Sequence, residues 1–166
     1  MRKAKQYSIE TVINKLGIIN KAGFDITDQM KYIKIISWFL GVQFFMFGIL
    51  KFFNPIKEWY SIQVSASELP PGSYFIGQFG DIVVGSILIV ALLLHNEWSP
   101  KRFSIVLILS SSAIVGMMLT AIYVHLHPDV PAEVLPLGIK PPFIPGFTLL
   151  TALINIFLAR RQLNMI

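Results

Sequence analysis

The sequence contains no cysteine, which excludes thiol–disulfide exchange, thiolate metal sites and iron–sulfur ligation by this chain. It is also short of charge. Asp, Glu, Lys and Arg make up 14% of its 166 residues, where a soluble domain carries about 25%. It has no phosphate-binding glycine loop, nucleophile elbow or haem-attachment signature. The alternating ten-residue pattern of a membrane β-barrel is missing too. Residues 1–30 hold lysines and acids in place of the compact apolar run of a signal peptide.

What fills the chain instead is hydrophobic: 54% of the residues are apolar, concentrated in segments 32–53, 75–94, 103–124 and 143–159. A bilayer core about 30 Å thick needs roughly 20 apolar residues of helix. Backbone groups in lipid must be satisfied internally, so the segments are expected as helices. A soluble helical core would need amphipathic segments, yet 82–94 holds nothing more polar than Ser86. The expected architecture is all-α, a four-helix transmembrane bundle over 32–162. The fourth segment is short and either tilts little or starts in the interface. A basic cytoplasmic segment, 1–31, comes first. Within it Ile9, Val12, Ile13, Leu16 and Ile19 recur at helical spacing, which fits a surface helix over 8–20 or, in the plainer reading, a loosely ordered basic tail.

The net charge of +5 reflects membrane topology, with no pattern for nucleic acid. Arg2, Lys3, Lys5, Lys15, Lys21, Lys31, Lys34, Lys101, Arg102, Arg160 and Arg161 share one side of a four-span chain; Lys51, Lys57 and Lys140 fall toward the other. The positive-inside rule places both termini in the cytoplasm of a cell (inner) membrane protein.

The connection 95–102 is short and makes the second and third spans antiparallel neighbours. The two outer connections are longer. Asn54 and Pro55 suit a helix cap and first turn. Ile56, Trp59, Tyr60 and Val64 then line one face of an interfacial helix ending near Ser67, and Pro70-Pro71-Gly72 turns the chain into the second span. Six prolines over 128–145 hold the second loop in shape, either as a cap over the outer end or as a rigid connector.

Polar residues inside the spans are the functional clues. Asp81 lies about six residues into the second span, roughly 9 Å below the boundary. Gly77 and Gly85 flank it on one helix face, which turns it into the bundle. Gly41, Gly48 and Lys51 share a face of the first span, so a Lys51–Asp81 ion pair is within reach; snorkelling of Lys51 to the headgroups is the alternative. His125 and His127 close the third span. The small-residue face Ser112, Gly116, Thr120 projects onward to Tyr123 and His127, although Pro128 disfavours helix there, so either histidine can enter the bundle. With Asp81 they match no closed metal-ligand set. Gln78 joins the same level. Thr151 and Asn155 are expected to bond across helices, while His95, Glu97 and Trp98 suit a cytoplasmic interface anchor.

The run Gly48-Ile-Leu-Lys51-Phe-Phe-Asn54-Pro55, the run Gly77-Gln-Phe-Gly-Asp81-Ile-Val-Val-Gly85 and the histidine closing the third span together resemble the DoxX-like family of small four-helix membrane proteins. The resemblance covers about 41–157. Asp81 stands where that family more often has Glu, and the proline-rich segment is outside its general pattern. The resemblance implies a bundle with its polar residues near the non-cytoplasmic end. Relatives include subunits associated with thiosulfate:quinone oxidoreduction and methylamine utilisation, and more distant ones look like chaperones or cargo receptors.

The leading expectation is an accessory membrane protein, not itself catalytic. Lys51, Gln78, Asp81, Tyr123, His125 and His127 would form an outward-facing pocket for a small ligand, a lipid or quinone head group, or a partner protein. Gly41, Gly48, Gly77, Gly85 and Gly116 would be its packing positions. The alternatives are a quinone-linked oxidoreductase subunit and a small oligomeric transporter. No catalytic residue or metal is assigned and no cofactor is evident, with quinone left open. The expected partners are the bilayer, and a membrane protein or a second copy.

Overall fold

A computed structural model describes residues 29–165, all of whose regular structure is helical. The expected surface helix over 8–20 lies outside the described residues. Four long helices alternate with shorter structure: α1 (Gln29–Leu50), α2 (Ile56–Ala66), α3 (Ser73–Leu93), α4 (Pro100–Leu126) and α5 (Phe143–Leu163). Two single-turn 3₁₀ segments, Ala132–Val134 and Pro136–Gly138, shape the loop between α4 and α5. A helix of 21 residues rises about 32 Å, enough to cross a bilayer core. Helices α1, α3, α4 and α5 all have the length and apolarity of membrane spans.

The helix ends differ from the apolar limits in an instructive way. Helix α1 stops at Leu50, short of residue 53, because Phe52 and Phe53 donate to carbonyls three residues back and tighten the chain into turns before Pro55. Helix α4 starts at Pro100, ahead of its charged pair: the Ser99 hydroxyl accepts from the Arg102 amide at 3.4 Å, and Pro100 occupies a first-turn position that needs no amide donor. Helix α5 runs on to Leu163 through Arg160 and Arg161, whose charge suits a helix C-terminus. Hydropathy marks where lipid ends, whereas backbone hydrogen bonding marks where the helix ends. Asn54 does not cap α2 as expected. Its Nδ2 donates to Glu58 Oε1 at 2.6 Å, and Pro55 holds the N-cap position without a side-chain bond.

The four long helices close a ring in the order α1, α3, α4, α5. The α1–α3 seam is set by glycine. A β-carbon on Gly48 would sit 2.8 Å from the Ile82 amide nitrogen, and one on Gly85 would run into the Phe45 backbone. Gly41 meets Leu88 and Ile89 across the same seam. The α5 seam is hydrogen-bonded: Gln29 donates to the Leu158 carbonyl at 2.8 Å and Gln43 to Thr148 at 2.9 Å. Mid-bundle, Asn155 Nδ2 on α5 reaches Ser37 on α1 and Ser111 on α4, each at 3.0 Å, so three helices share one polar layer. Around it pack Ile33, Leu40, Leu88, Phe103, Leu107 and Ile114, all essentially inaccessible.

Two small-residue expectations are corrected. Ser112, Gly116 and Thr120 are exposed and form no helix seam, a β-carbon on Gly116 would meet nothing within 4 Å, and α4 packs instead through Phe103, Leu107, Ser111 and Ile114. The Thr151 hydroxyl does not cross to a neighbour; it donates to Phe147 O in its own helix at 2.8 Å, an option every helical threonine has. The outer surface of the bundle carries Val42, Met46, Ile87, Val90, Leu109, Leu119, Leu153 and Phe157 exposed, a lipid-facing coat no soluble monomer of this size would carry. The chain is a multi-pass integral membrane protein.

Candidate functional site

One end of the bundle holds both long connections. There α2 and the 3₁₀ turns lie over the helix ends and enclose a cavity of about 400 Å³. All four spans contribute to its wall, with α2 and residues of both connections. Most of the lining is apolar: Phe44, Phe47, Ile56, Val64, Met117, Met118 and Ile144 are typical. The chemistry is confined to a few polar groups, which is the general make-up of a small-molecule site.

Lys51 and Asp81 form the ion pair that their spacing suggested, with Nζ 2.6 Å from Oδ2. The antiparallel run of α1 and α3 brings the last turn of one level with the interior of the other, and Gly48 lets the backbones approach closely enough for the pair to close. Lys51 does not snorkel. Its ammonium also donates to the Gly77 carbonyl at 3.1 Å and lies 4.2 Å from the centroid of the Tyr60 ring. Removing two charges from water is costly, and this full set of partners is what offsets the cost.

Tyr60 closes the cage from α2. Its hydroxyl reaches the carbonyls of Ser73 and Tyr74, each at 3.2 Å, and rests against the Gly77 α-carbon, where a β-carbon would collide with it. Burial, with the nearby Asp81 carboxylate adding to it, pushes the Tyr60 phenol well above the usual tyrosine range.

His125 faces the cavity from α4 and is 4% exposed. Its Nδ1 lies 3.3 Å from the Lys140 carbonyl. Lys140 in turn reaches back with its ammonium to the carbonyls of His127, at 2.7 Å, and of Val130, and so pins the loop to the end of α4. Gln63 on α2 donates to the Val134 carbonyl and fastens the same loop from the other side.

The structure therefore divides the expected site. Lys51, Asp81 and His125 line the cavity; Gln78, Tyr123 and His127 do not. Gln78 donates to the Lys51 carbonyl at 3.2 Å and satisfies the end of α1. Tyr123 donates to the Ser67 carbonyl at 3.2 Å and stacks edge-on against His127, tying α2 to α4. His127 takes an extended backbone before Pro128, which turns it out of the helix line; its Nδ1 is buried without a hydrogen bond, 3.9 Å from Asp129. Sequence reasoning missed Gln43, whose Oε1 is buried and unpartnered at the cavity, and the fastening roles of Gln63 and Lys140. At the far end, His95 is engaged within the protein through both nitrogens: Nδ1 lies 2.9 Å from Leu92 O and Nε2 2.6 Å from Lys34 Nζ.

No family model, curated protein or solved structure matches the chain. Its class rests on the fold and the cavity: an integral membrane protein with a four-span bundle.

Proposed function

We propose that the chain is a DoxX-like accessory protein that binds an amphiphile, with the polar head group in the cavity and the apolar part along its greasy walls. The single observation that carries this reading is a cavity of about 400 Å³ with apolar walls around a buried ion pair, Lys51–Asp81. Phe47, Trp59 and Ile76 belong to the wall and are 40%, 41% and 72% exposed, so the mouth is apolar as well. An aqueous solute would meet a polar mouth; a lipid-like or quinone-like molecule meets this one. The positive-inside distribution of Lys and Arg turns the cavity away from the cytoplasm. Transport finds less support, because below the cavity the Asn155 layer is small and flanked by packed Leu40, Leu88, Leu107 and Ile114.

Trp59 provides the test. With Trp38 and Trp98 replaced by Phe, bromoalkyl amphiphiles should quench Trp59 saturably in detergent-solubilised protein. Quenching that rises linearly with probe concentration, as for lipid contact alone, counts against a binding site.

A further inference from the structure

We propose that the polar end of the ligand is a hydroxyl group, a hydrogen-bond donor received by His125 Nε2, with Asp81 Oδ1 as a further open acceptor. This rests on the amphiphile-binding reading above and specifies what that reading leaves undefined.

The inference comes from the donors and acceptors around the ion pair and His125. The donors around the ion pair and at the loop fastenings are engaged. Lys51 gives protons to Asp81 Oδ2 and the Gly77 carbonyl and turns its remaining side to the Tyr60 ring. The single Tyr60 hydroxyl proton is held between two carbonyls. Gln63 donates to Val134 O, and Thr120 to Gly116 O in its own helix.

Three acceptors remain open, the buried Gln43 Oε1 among them. Asp81 uses Oδ2 for Lys51, and among the described residues Oδ1 has no hydrogen-bond partner, yet it is not sealed from the cavity. The Nδ1 of His125 faces a carbonyl, which can only accept, so Nδ1 carries the proton. A neutral ring then keeps a lone pair on Nε2, which likewise has no partner among the described residues and is not sealed off. Both side chains are more than nine-tenths buried, Asp81 at 7% exposed and His125 at 4%.

At these acceptors a ligand carrying only carbonyl or ether oxygens would bring acceptors to acceptors. Quinone carbonyls find no donor at His125 Nε2 or Asp81 Oδ1, whereas the hydroxyls of an alcohol, a phenol or a hydroquinone can donate to either. An ammonium head group is also a donor. On the Asp81 carboxylate, however, it would share the site with Lys51 Nζ, 2.6 Å from Oδ2, and like charges would repel.

A matched pair of probes tests this on the full chain that retains Trp59 alone: 4-nonylphenol and its methyl ether, 4-nonylanisole, each brominated at the end of the chain to quench Trp59. They differ in one donatable proton. The phenol should bind at least about tenfold more tightly, which corresponds to about 1.4 kcal/mol. His125→Phe should reduce that preference below about threefold without weakening the anisole, and His125→Gln, which keeps an acceptor, should retain most of it. Equal binding of the two probes, or tighter binding of the anisole, would overturn the hydroxyl assignment while leaving the binding reading intact. A preference undiminished in His125→Phe would overturn the role of Nε2. Failure of both probes to quench saturably would remove the binding reading and this proposal with it.

Discussion

The Tyr60 hydroxyl lies where a β-carbon of residue 77 would be, so Gly77 and Tyr60 can share the cavity wall only while residue 77 has no side chain. Gly77 also supplies the carbonyl that receives the Lys51 ammonium. One position thus admits the ring that covers the ion pair and completes the ion pair's hydrogen bonding.

Gly77→Ala should therefore leave the bundle folded while displacing Tyr60, because the obstructed atom is the tip of a side chain that can swing away. Loss of its hydrogen bonds to Ser73 and Tyr74 should cost about 1 kcal/mol, with a matching loss in Tyr60→Phe. Denaturant titration of both variants and of the double variant checks this. Independent, additive losses would show that the alanine acts elsewhere.

Gly85→Ala should be more damaging, by about 1–3 kcal/mol, since there the obstruction is the Phe45 backbone and the helices themselves must part. Gly116→Ala should be neutral or stabilising by up to about 1 kcal/mol, because nothing faces it and alanine is the better helix former. Melting temperatures in one detergent suffice, and a reversed order would contradict the assigned seam.

For the ion pair, Asp81→Asn and Lys51→Met should each cost about 3–5 kcal/mol by leaving a buried partner unmatched, and Asp81→Leu should be worse than Asp81→Asn. The double variant Asp81→Asn/Lys51→Met should lose much less than the sum. A coupling near zero in the double-mutant cycle would mean that the 2.6 Å contact carries no direct interaction.

Alkaline stability should depend on Tyr60. Its pKa is raised in the folded protein, so the unfolded chain gives up the phenol proton first as pH rises. The stabilisation is therefore complete below the ordinary tyrosine value and is lost as pH climbs from there toward the folded-state pKa. Stability differences between wild type and Tyr60→Phe, measured from pH 8 upward, should shrink with pH; a constant difference would argue against burial of the phenol.

Orientation is testable because the chain has no cysteine of its own. Cysteines at Glu133 and Lys101, both exposed and at opposite ends, should respectively label and fail to label with an impermeant maleimide in intact cells. Ser67 would be a poor probe of the same side, since it is fully buried. The reverse labelling pattern would invert the topology.

The bundle was legible in the sequence because lipid demands long apolar helices, and charge in lipid demands a partner. Those two constraints led to the four spans, to the inward turn of Asp81 and to its pairing with Lys51. Asn155 was legible for the same reason. The spacing of Ser112, Gly116 and Thr120 misled, because small residues are tolerated on a lipid face as readily as at a helix seam. Thr151 misled because its hydroxyl can be satisfied within its own turn. The choice between His125 and His127 turned on the path of the chain at Pro128, and the roles of Gln63 and Lys140 on the course of an irregular loop. Loops have no periodicity from which a facing residue can be read.

The Asn155 layer has a consequence for traffic. It joins three helices at mid-depth, with packed aliphatic side chains around it, so the cavity has a floor. If the cavity takes an amphiphile as proposed, a molecule held above that floor would come from one leaflet and return to the same leaflet. On that proposal the protein would sample, present or sequester a membrane component without moving it across, and its occupancy would report the composition of a single monolayer.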